Sequence, residues 1–120
     1  MSTIVVDMSN DSEKPTTRWN HYLAYFWGGG FLANTIPHLV MGGAGSPFQS
    51  PFASPPGEGL SSATTNVIWG LANLFVAYLL LVRVGRFDLR DNRHAITAFV
   101  GFATFTMVTG HHFAAFHGGT

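Results

Sequence analysis

Three long apolar segments, separated by two polar stretches, dominate the pattern of hydrophobic and polar positions along the chain. They cover residues 19–41, 63–83 and 94–116. A helix rises 1.5 Å per residue, so about 20 apolar residues cross the ~30 Å hydrocarbon core of a bilayer. The pattern predicts an all-α membrane protein with three transmembrane helices in an up-down-up arrangement.

The second segment separates its small and polar residues from its larger apolar ones. Asn66, Gly70, Asn73 and Ala77 recur at i, i+4, i+7 and i+11, so they share one face of a helix. The larger apolar residues lie mostly on the other faces. We expect the small and polar stripe to face neighbouring helices and the apolar faces to contact lipid.

Small residues also mark the other two segments. Gly28, Gly29 and Gly30 remove side chains from the middle of the first segment, and Thr97 and Gly101 form a small-xxx-small pair in the third. The triple glycine neither follows a strand nor precedes a lysine, which disfavours a phosphate-binding loop. Both features favour close packing between helices.

A loop rich in Pro, Gly and Ser connects the first two segments over residues 42–62 and contains no lysine or arginine. Its phenylalanines, Phe48 and Phe52, could fold back onto the helix ends as a lid. Two roles are open for this loop. It is either a compact cap that shields the helix ends, or a surface that docks a partner or covers a ligand.

The basic residues fix the predicted orientation. Lys14 and Arg18 precede the first segment, and the other four lie between the second and third: Arg83, Arg86, Arg90 and Arg93. With three spans, all of them fall on one side of the membrane, which the positive-inside rule assigns to the cytoplasm. The N-terminus is then cytoplasmic and the C-terminus extracytoplasmic. Residues 1–18 are predicted to form a disordered cytoplasmic tail, and residues 19–120 a three-helix transmembrane domain.

Composition supports a membrane environment. Only 10% of the residues are charged, 47% are hydrophobic and the formal net charge is zero. A soluble domain carries about 25% charged residues. The predicted partner is the lipid bilayer, and the neutral charge argues against nucleic-acid binding. The chain has no cysteine, which excludes disulfides and thiolate metal sites.

Histidines are concentrated at the predicted extracytoplasmic face, where we expect to find His38, His111, His112 and His117 close to Asn66. Imidazole binds transition metals and haem iron, so His38 with His111 or His112 is a candidate cofactor site, and all four histidines are candidate metal ligands. Two alternatives remain. His38 could bond structurally to Asn66 or to backbone carbonyls freed by Pro37, or the histidines could transfer protons.

Polar residues inside the predicted spans form a candidate seam between the helices. Its members are Asn34, Asn66, Asn73 and Thr104. Such residues hold membrane helices together through hydrogen bonds. In an oligomer, Asn66, Asn73 and Thr104 could instead line the path of a small-solute channel or carrier.

Four runs of sequence suggest a relationship: Ile-Pro-His at 36–38, Ser-Pro-Phe-Gln-Ser-Pro-Phe-Ala-Ser-Pro-Pro-Gly at 46–57, Gly-Leu-Ser-Ser at 59–62 and Asn-Val-Ile-Trp-Gly at 66–70. Together they resemble a family of small, uncharacterised bacterial inner-membrane proteins. The likeness spans roughly residues 26–87. It implies a multi-pass protein of the bacterial inner membrane and transfers no catalytic residue to this chain.

The sequence contains no nucleophile with a base and an orienting group, no paired carboxylates inside the spans and no phosphate-binding loop. An active site would have to be built from His, Asn, Thr and Ser alone, so we predict no catalytic residues. The favoured function is a structural or accessory subunit, or a homo-oligomer. Haem or metal binding at the histidines and an oligomeric channel or carrier are the alternatives.

Overall fold

The structure is a computed structural model that describes residues 16–119. Most of this part of the chain is helical, and it contains the three long helices that the hydropathy pattern predicts. They are α1 (Trp19–Gly43), α2 (Ala63–Tyr78), which continues as a π-helix over Leu79–Val84, and α3 (Asn92–Ala114). Residues 1–15 of the predicted tail lie outside the described residues.

The segment between α1 and α2, residues 44–62, is called the cap loop below. It is two residues shorter than predicted because α1 continues through Gly43. It contains two short strands that the sequence analysis did not predict, β1 (Phe48–Gln49) and β2 (Leu60–Ser61). They pair antiparallel, with Phe48 opposite Ser61 and Gln49 opposite Leu60. The cap loop is therefore an ordered hairpin-like structure.

By length and apolar composition, one helix of the described chain qualifies as a membrane span, Ala63–Val84, with 22 residues. Only 17% of its most apolar window is buried inside the protein. The helices α1 and α3 are as long, with 25 and 23 residues, but their glycine, asparagine, histidine and threonine residues make them less apolar. Hydropathy of the described helices thus supports one span directly.

Helix α1 is the centre of the fold and packs along both α2 and α3. Its contact with α3 depends on two glycines. A Cβ atom added to Gly29 would overlap the backbone carbonyl of Ala98, and one added to Gly101 would overlap the backbone carbonyl of Phe26. The backbones of α1 and α3 therefore approach more closely than any side chain would allow, as the glycine pattern predicts.

The contact between α1 and α2 uses the predicted stripe. The buried residues of α2 are Asn66, Gly70, Asn73 and Ala77. Gly70 lies against Leu39 of α1, and a Cβ on Gly70 would come within 2.8 Å of that side chain's Cγ. The remaining faces of α2 expose large apolar residues such as Leu71 and Phe75.

The helix ends are defined by short-range capping. Ser62 caps α2 by accepting a hydrogen bond from the backbone N–H of Thr65 at 3.1 Å, and Asp91 caps α3 by accepting from Arg93 at 2.9 Å. After the π-helix the chain turns at Gly85. Arg86 then adopts a positive φ of 49°, a conformation that is unfavourable for a residue with a Cβ.

Candidate functional site

Asn66 connects three parts of the molecule at the end of the helices next to the cap loop. Its amide nitrogen contacts the backbone carbonyls of Phe48, Ser61 and Ser62 at 3.1, 3.2 and 3.1 Å. The side chain is fully buried. Both strands of the cap loop are therefore tied to the first turn of α2 by one side chain.

This arrangement fixes which way the Asn66 amide points. An amide nitrogen donates to carbonyl oxygens, whereas an amide oxygen in that position would be repelled by three of them. The Asn66 oxygen therefore faces His38 of α1, whose Nδ1 lies 2.7 Å away. Because that oxygen can only accept, His38 Nδ1 carries the proton and donates it.

The His38 ring is held by aromatic side chains from each part of the protein. It is 2% exposed, and the rings of Phe48, Trp69 and Phe113 pack against it edge to face at 5.5, 6.4 and 6.4 Å between centroids. These neighbours come from the cap loop, α2 and α3. In the neutral tautomer with Nδ1 protonated, the other ring nitrogen, Nε2, keeps its lone pair.

The end of α3 holds the cap loop through two further histidines. His112 Nε2 donates to the carbonyl of Gly57 at 2.7 Å. His117 Nε2 lies 2.6 Å from the amide oxygen of Gln49, and its ring stacks on Phe48. His111 is exposed. Each histidine of this helix end therefore has a different environment.

A partly open cavity of about 160 Å³ lies beneath the cap loop. Its wall is mostly apolar and includes nine residues: Asn34, His38, Gln49, Ser50, Pro51, Gly57, Trp69, His112 and Phe113. The indole N–H of Trp69 is buried and has no hydrogen-bond partner among the described residues. His38 and Trp69 both line this cavity, which makes it a candidate binding site.

The histidines do not form a shared metal centre in this arrangement. No group of three or more His, Cys, Asp or Glu side chains placed for a metal ion occurs in residues 16–119. His38 and His112 both line the cavity, whereas His117 bonds to Gln49 and His111 is exposed. A haem, with four pyrrole rings, is larger than the cavity. Metal binding by His38 or His112 stays a prediction.

Three members of the predicted polar seam lie between α1 and α2. Asn34 donates to the Asn73 side-chain oxygen at 3.1 Å, and the Asn73 amide donates to the Trp69 carbonyl at 2.7 Å. Asn66 lies further along the same interface. Thr104 is not part of it, because it is exposed on α3 and bonds to the carbonyl of Val100 in its own helix.

The opposite end of the helices contains a buried cluster around His94, which the sequence analysis did not identify. His94 is 5% exposed, and its Nδ1 accepts from the backbone N–H of Asp88 at 3.0 Å, so Nε2 carries the proton. Nε2 lies 3.0 Å from the Thr17 hydroxyl, 3.3 Å from the Tyr25 hydroxyl and 3.5 Å from an Asp91 carboxylate oxygen. The Tyr25 hydroxyl itself donates to the carbonyl of Gly85.

This cluster does not have the geometry of a catalytic triad. A triad places the acid on one histidine nitrogen and the hydroxyl on the other. Here Asp91 and Thr17 approach the same nitrogen of His94, and the second nitrogen accepts from the backbone. The cluster instead ties residue 17, the turn after the π-helix and the start of α3 to α1.

Four exposed arginines lie within residues 83–93, from the end of the π-helix to the first turn of α3, and this segment is called the arginine turn below. Arg93 pairs with Asp91 at 3.2 Å, and this hydrogen-bonded pairing lowers the pKa of the Asp91 carboxyl below its usual value. Arg83 and Arg86 line a polar cavity together with Arg18. Arg90 has its backbone N–H bonded to Asp88.

A second, apolar depression runs between α1 and α3 near the cap loop. This α1–α3 groove has a volume of about 350 Å³ and is lined by Ala33, Ile36, Pro37, Phe102, Thr106, Thr109, Gly110 and Phe113. Gly110 differs from the packed glycines of the fold, because a Cβ added to it would meet nothing within 4 Å. Thr106 and Gly110 form a small pair at i, i+4 on this groove.

Comparison with known proteins gives no relative: no family model, no curated protein and no solved structure matches the chain. The properties of the cavity and of the α1–α3 groove therefore follow from their own geometry and chemistry.

Proposed function

We propose that the chain is a multi-pass protein of a bacterial inner membrane that works as a structural or accessory subunit, with no catalysis of its own. In this proposal α1, α2 and α3 all cross the bilayer. The arginine turn faces the cytoplasm, and the cap loop and C-terminus face outward. The proposed partner is a transmembrane helix, from a second copy or from another membrane protein.

Exposure of apolar side chains supports three spans. All three helices carry large hydrophobic residues on their outer surfaces, including Leu32 and Val40 of α1, Phe75 of α2, and Phe99 and Met107 of α3. The helices are about 37, 33 and 35 Å long at 1.5 Å per residue, which matches or exceeds the hydrocarbon core. In water such surfaces would aggregate, whereas lipid solvates them.

The α1–α3 groove is the observation that carries the subunit role. Glycine inside a helix costs about 1 kcal/mol relative to alanine, which close packing normally offsets. Gly29 and Gly101 have such packing within the chain, but Gly110 does not. Together with Thr106, Gly110 leaves a shallow apolar track beside α1 of the kind that receives another helix in a membrane.

The test compares two substitutions on the same helix. Gly110→Ile fills the α1–α3 groove, and Thr104→Ile places the same side chain at an exposed position outside it. The wild-type protein, extracted in mild detergent, should have a mass above the 13.0 kDa of one chain by light scattering and native mass spectrometry. Gly110→Ile should reduce this to one chain, and Thr104→Ile should leave it unchanged.

A third variant identifies the partner. Gly110→Cys should form a disulfide-linked dimer on oxidation if the groove receives a second copy, because the natural chain contains no other cysteine. A complex that includes a different membrane protein and forms no such dimer would assign the accessory role. A wild-type protein that is monomeric, without a bound partner and with a mass that Gly110→Ile does not change, would refute the proposal.

The geometry favours a channel or carrier less. The side chains of Asn66 and Asn73 are used in hydrogen bonds between the cap loop, α1 and α2. Thr104 is exposed on α3, away from this interface. The three residues are not brought together, and no polar face common to them is available for a solute path in an oligomer.

A further inference from the structure

The cavity beneath the cap loop contains one acceptor of defined orientation. Because Asn66 fixes the His38 tautomer, Nε2 of His38 is unprotonated, and it makes no hydrogen bond within residues 16–119. His38 is otherwise enclosed by aromatic rings and lines the cavity. A ligand that donates a hydrogen bond to Nε2 would complete the bonding of this imidazole.

Trp69 lines the same cavity and carries a donor that is not used within the described chain. Trp69 stacks edge to face with His38, and its indole N–H is buried without a partner in the described chain. A single hydroxyl group can pair with both His38 Nε2 and the Trp69 indole N–H, because it donates one hydrogen bond and accepts others. Leaving a buried donor unpaired costs about 1–3 kcal/mol, so a ligand hydroxyl that reaches both groups would bind favourably.

The size and lining of the cavity determine what should carry the hydroxyl. An apolar cavity of about 150 Å³ in another protein holds one benzene ring. The cavity here has a volume of about 160 Å³, and its lining includes the aromatic residues Trp69 and Phe113. Aromatic pairs favour edge-to-face and offset contacts, which such a wall provides.

We propose that this cavity binds a hydroxylated six-membered aromatic ring, of the phenol or hydroquinone class, whose hydroxyl bridges His38 Nε2 and the Trp69 indole N–H. The ring is either a free molecule or the headgroup of a lipid that carries a hydroquinone. The cavity shares Phe113 with the α1–α3 groove, but its ligand is tested without reference to the assembly proposed above.

Nuclear magnetic resonance tests this proposal on the full-length protein in detergent micelles, with ¹⁵N in the histidine rings and tryptophan indoles. Phenol should shift the Trp69 indole and His38 Nε2 signals in a saturable manner, and the Trp27 indole serves as the internal control. Anisole has the same ring but no hydroxyl proton, so it should bind at least about tenfold more weakly. Toluene, with no oxygen, should behave like anisole or bind more weakly.

A pair of variants isolates the His38 acceptor. In His38→Asn the amide nitrogen can replace Nδ1 as the donor to Asn66, while nothing replaces Nε2. This variant should bind phenol no better than anisole. His111→Asn, at an exposed position on the same end of the molecule, should bind phenol like the wild type.

Hydroquinones with and without a decyl chain separate the two sources of the ring. A lipid-borne headgroup is indicated if the decyl chain tightens wild-type binding and His38→Asn removes the gain. A free phenol is indicated if the chain makes no difference. Equal binding of phenol and anisole, or phenol binding that His38→Asn does not weaken, would overturn the proposal and leave water as the occupant. If His38→Asn does not fold, the comparison of phenol with anisole on the wild type decides the question alone.

Discussion

Replacement of Asn66 by leucine should be the most destabilising single change at the end of the molecule that carries the cap loop. The substitution keeps the side chain's size and removes all of its polar contacts. The Asn66 amide hydrogens serve the carbonyls of Phe48, Ser61 and Ser62, and its oxygen accepts from His38. Both strands of the cap loop then lose their connection to α2.

The expected magnitude follows from the number of groups involved. The two amide hydrogens correspond to two hydrogen bonds at about 0.6–1 kcal/mol each, which is the range for bonds between membrane helices and in proteins generally. In addition, His38 Nδ1–H is left buried without an acceptor, at about 1–3 kcal/mol. We expect Asn66→Leu to lower the free energy of unfolding by about 2–5 kcal/mol.

Asn73→Leu is the matched control, because Asn73 is equally buried on the same helix face. It makes two hydrogen bonds, one to Asn34 and one to the backbone of its own helix, so its loss should cost about 1–2 kcal/mol. The free energy of unfolding of both variants is measured by titration with sodium dodecyl sulfate in mixed micelles, with circular dichroism as the signal. Proteolysis should cut the cap loop faster in Asn66→Leu only. Equal losses for the two variants would refute the reasoning.

Three further changes test other parts of the fold. Gly29→Ala should destabilise the contact of α1 with α3 by about 2 kcal/mol or more through backbone overlap, whereas Gly110→Ala, which overlaps nothing within the chain, should be neutral or stabilising for the single chain in the same unfolding assay. Arg86→Gly should stabilise by about 1 kcal/mol, since glycine adopts the positive φ without strain; an unchanged midpoint would contradict this. The hydrogen-bonded pairing with Arg93 lowers the pKa of the Asp91 carboxyl in the folded protein. Asp91 therefore contributes stability at pH values above its pKa in the unfolded chain, and this contribution is lost as the pH falls through its pKa in the folded protein. The Asp91→Asn variant keeps a capping oxygen but has no carboxyl that titrates at this position. Between neutral and acidic pH, the melting temperature of this variant should therefore fall less than that of the wild type.

The spacing of small and polar residues along a helix is sufficient to predict which face of that helix packs against its neighbours. The stripe of Asn66, Gly70, Asn73 and Ala77 is the buried face of α2, and Gly29 lies against the backbone of α3. Small residues have few other uses in an apolar segment, so their periodicity is informative. The bond between His38 and Asn66, one of the alternatives that the sequence leaves open, is also present.

Other features depend on which chain segments meet in space, and the sequence contains no local signal for this. His94 follows an arginine-rich turn, a position typical of solvent-exposed residues, yet Tyr25 and Thr17 enclose it from α1 and the preceding residues. The strands β1 and β2 have only two residues each, too short for a recognisable alternation. The residue type of Thr104 predicts a place in the polar seam, but its position around the axis of α3 leaves it exposed.

The orientation of the chain in a membrane is the claim on which the proposed function depends, and cysteine labelling tests it most directly. The natural chain has no cysteine, so single variants report one position each. Ser54→Cys lies in the cap loop and Leu89→Cys in the arginine turn, and both positions are exposed. In intact spheroplasts a membrane-impermeant maleimide should label Ser54→Cys and not Leu89→Cys, and inside-out vesicles should give the reverse. Labelling of both positions from the same side, or recovery of the protein in the soluble fraction, would contradict the account.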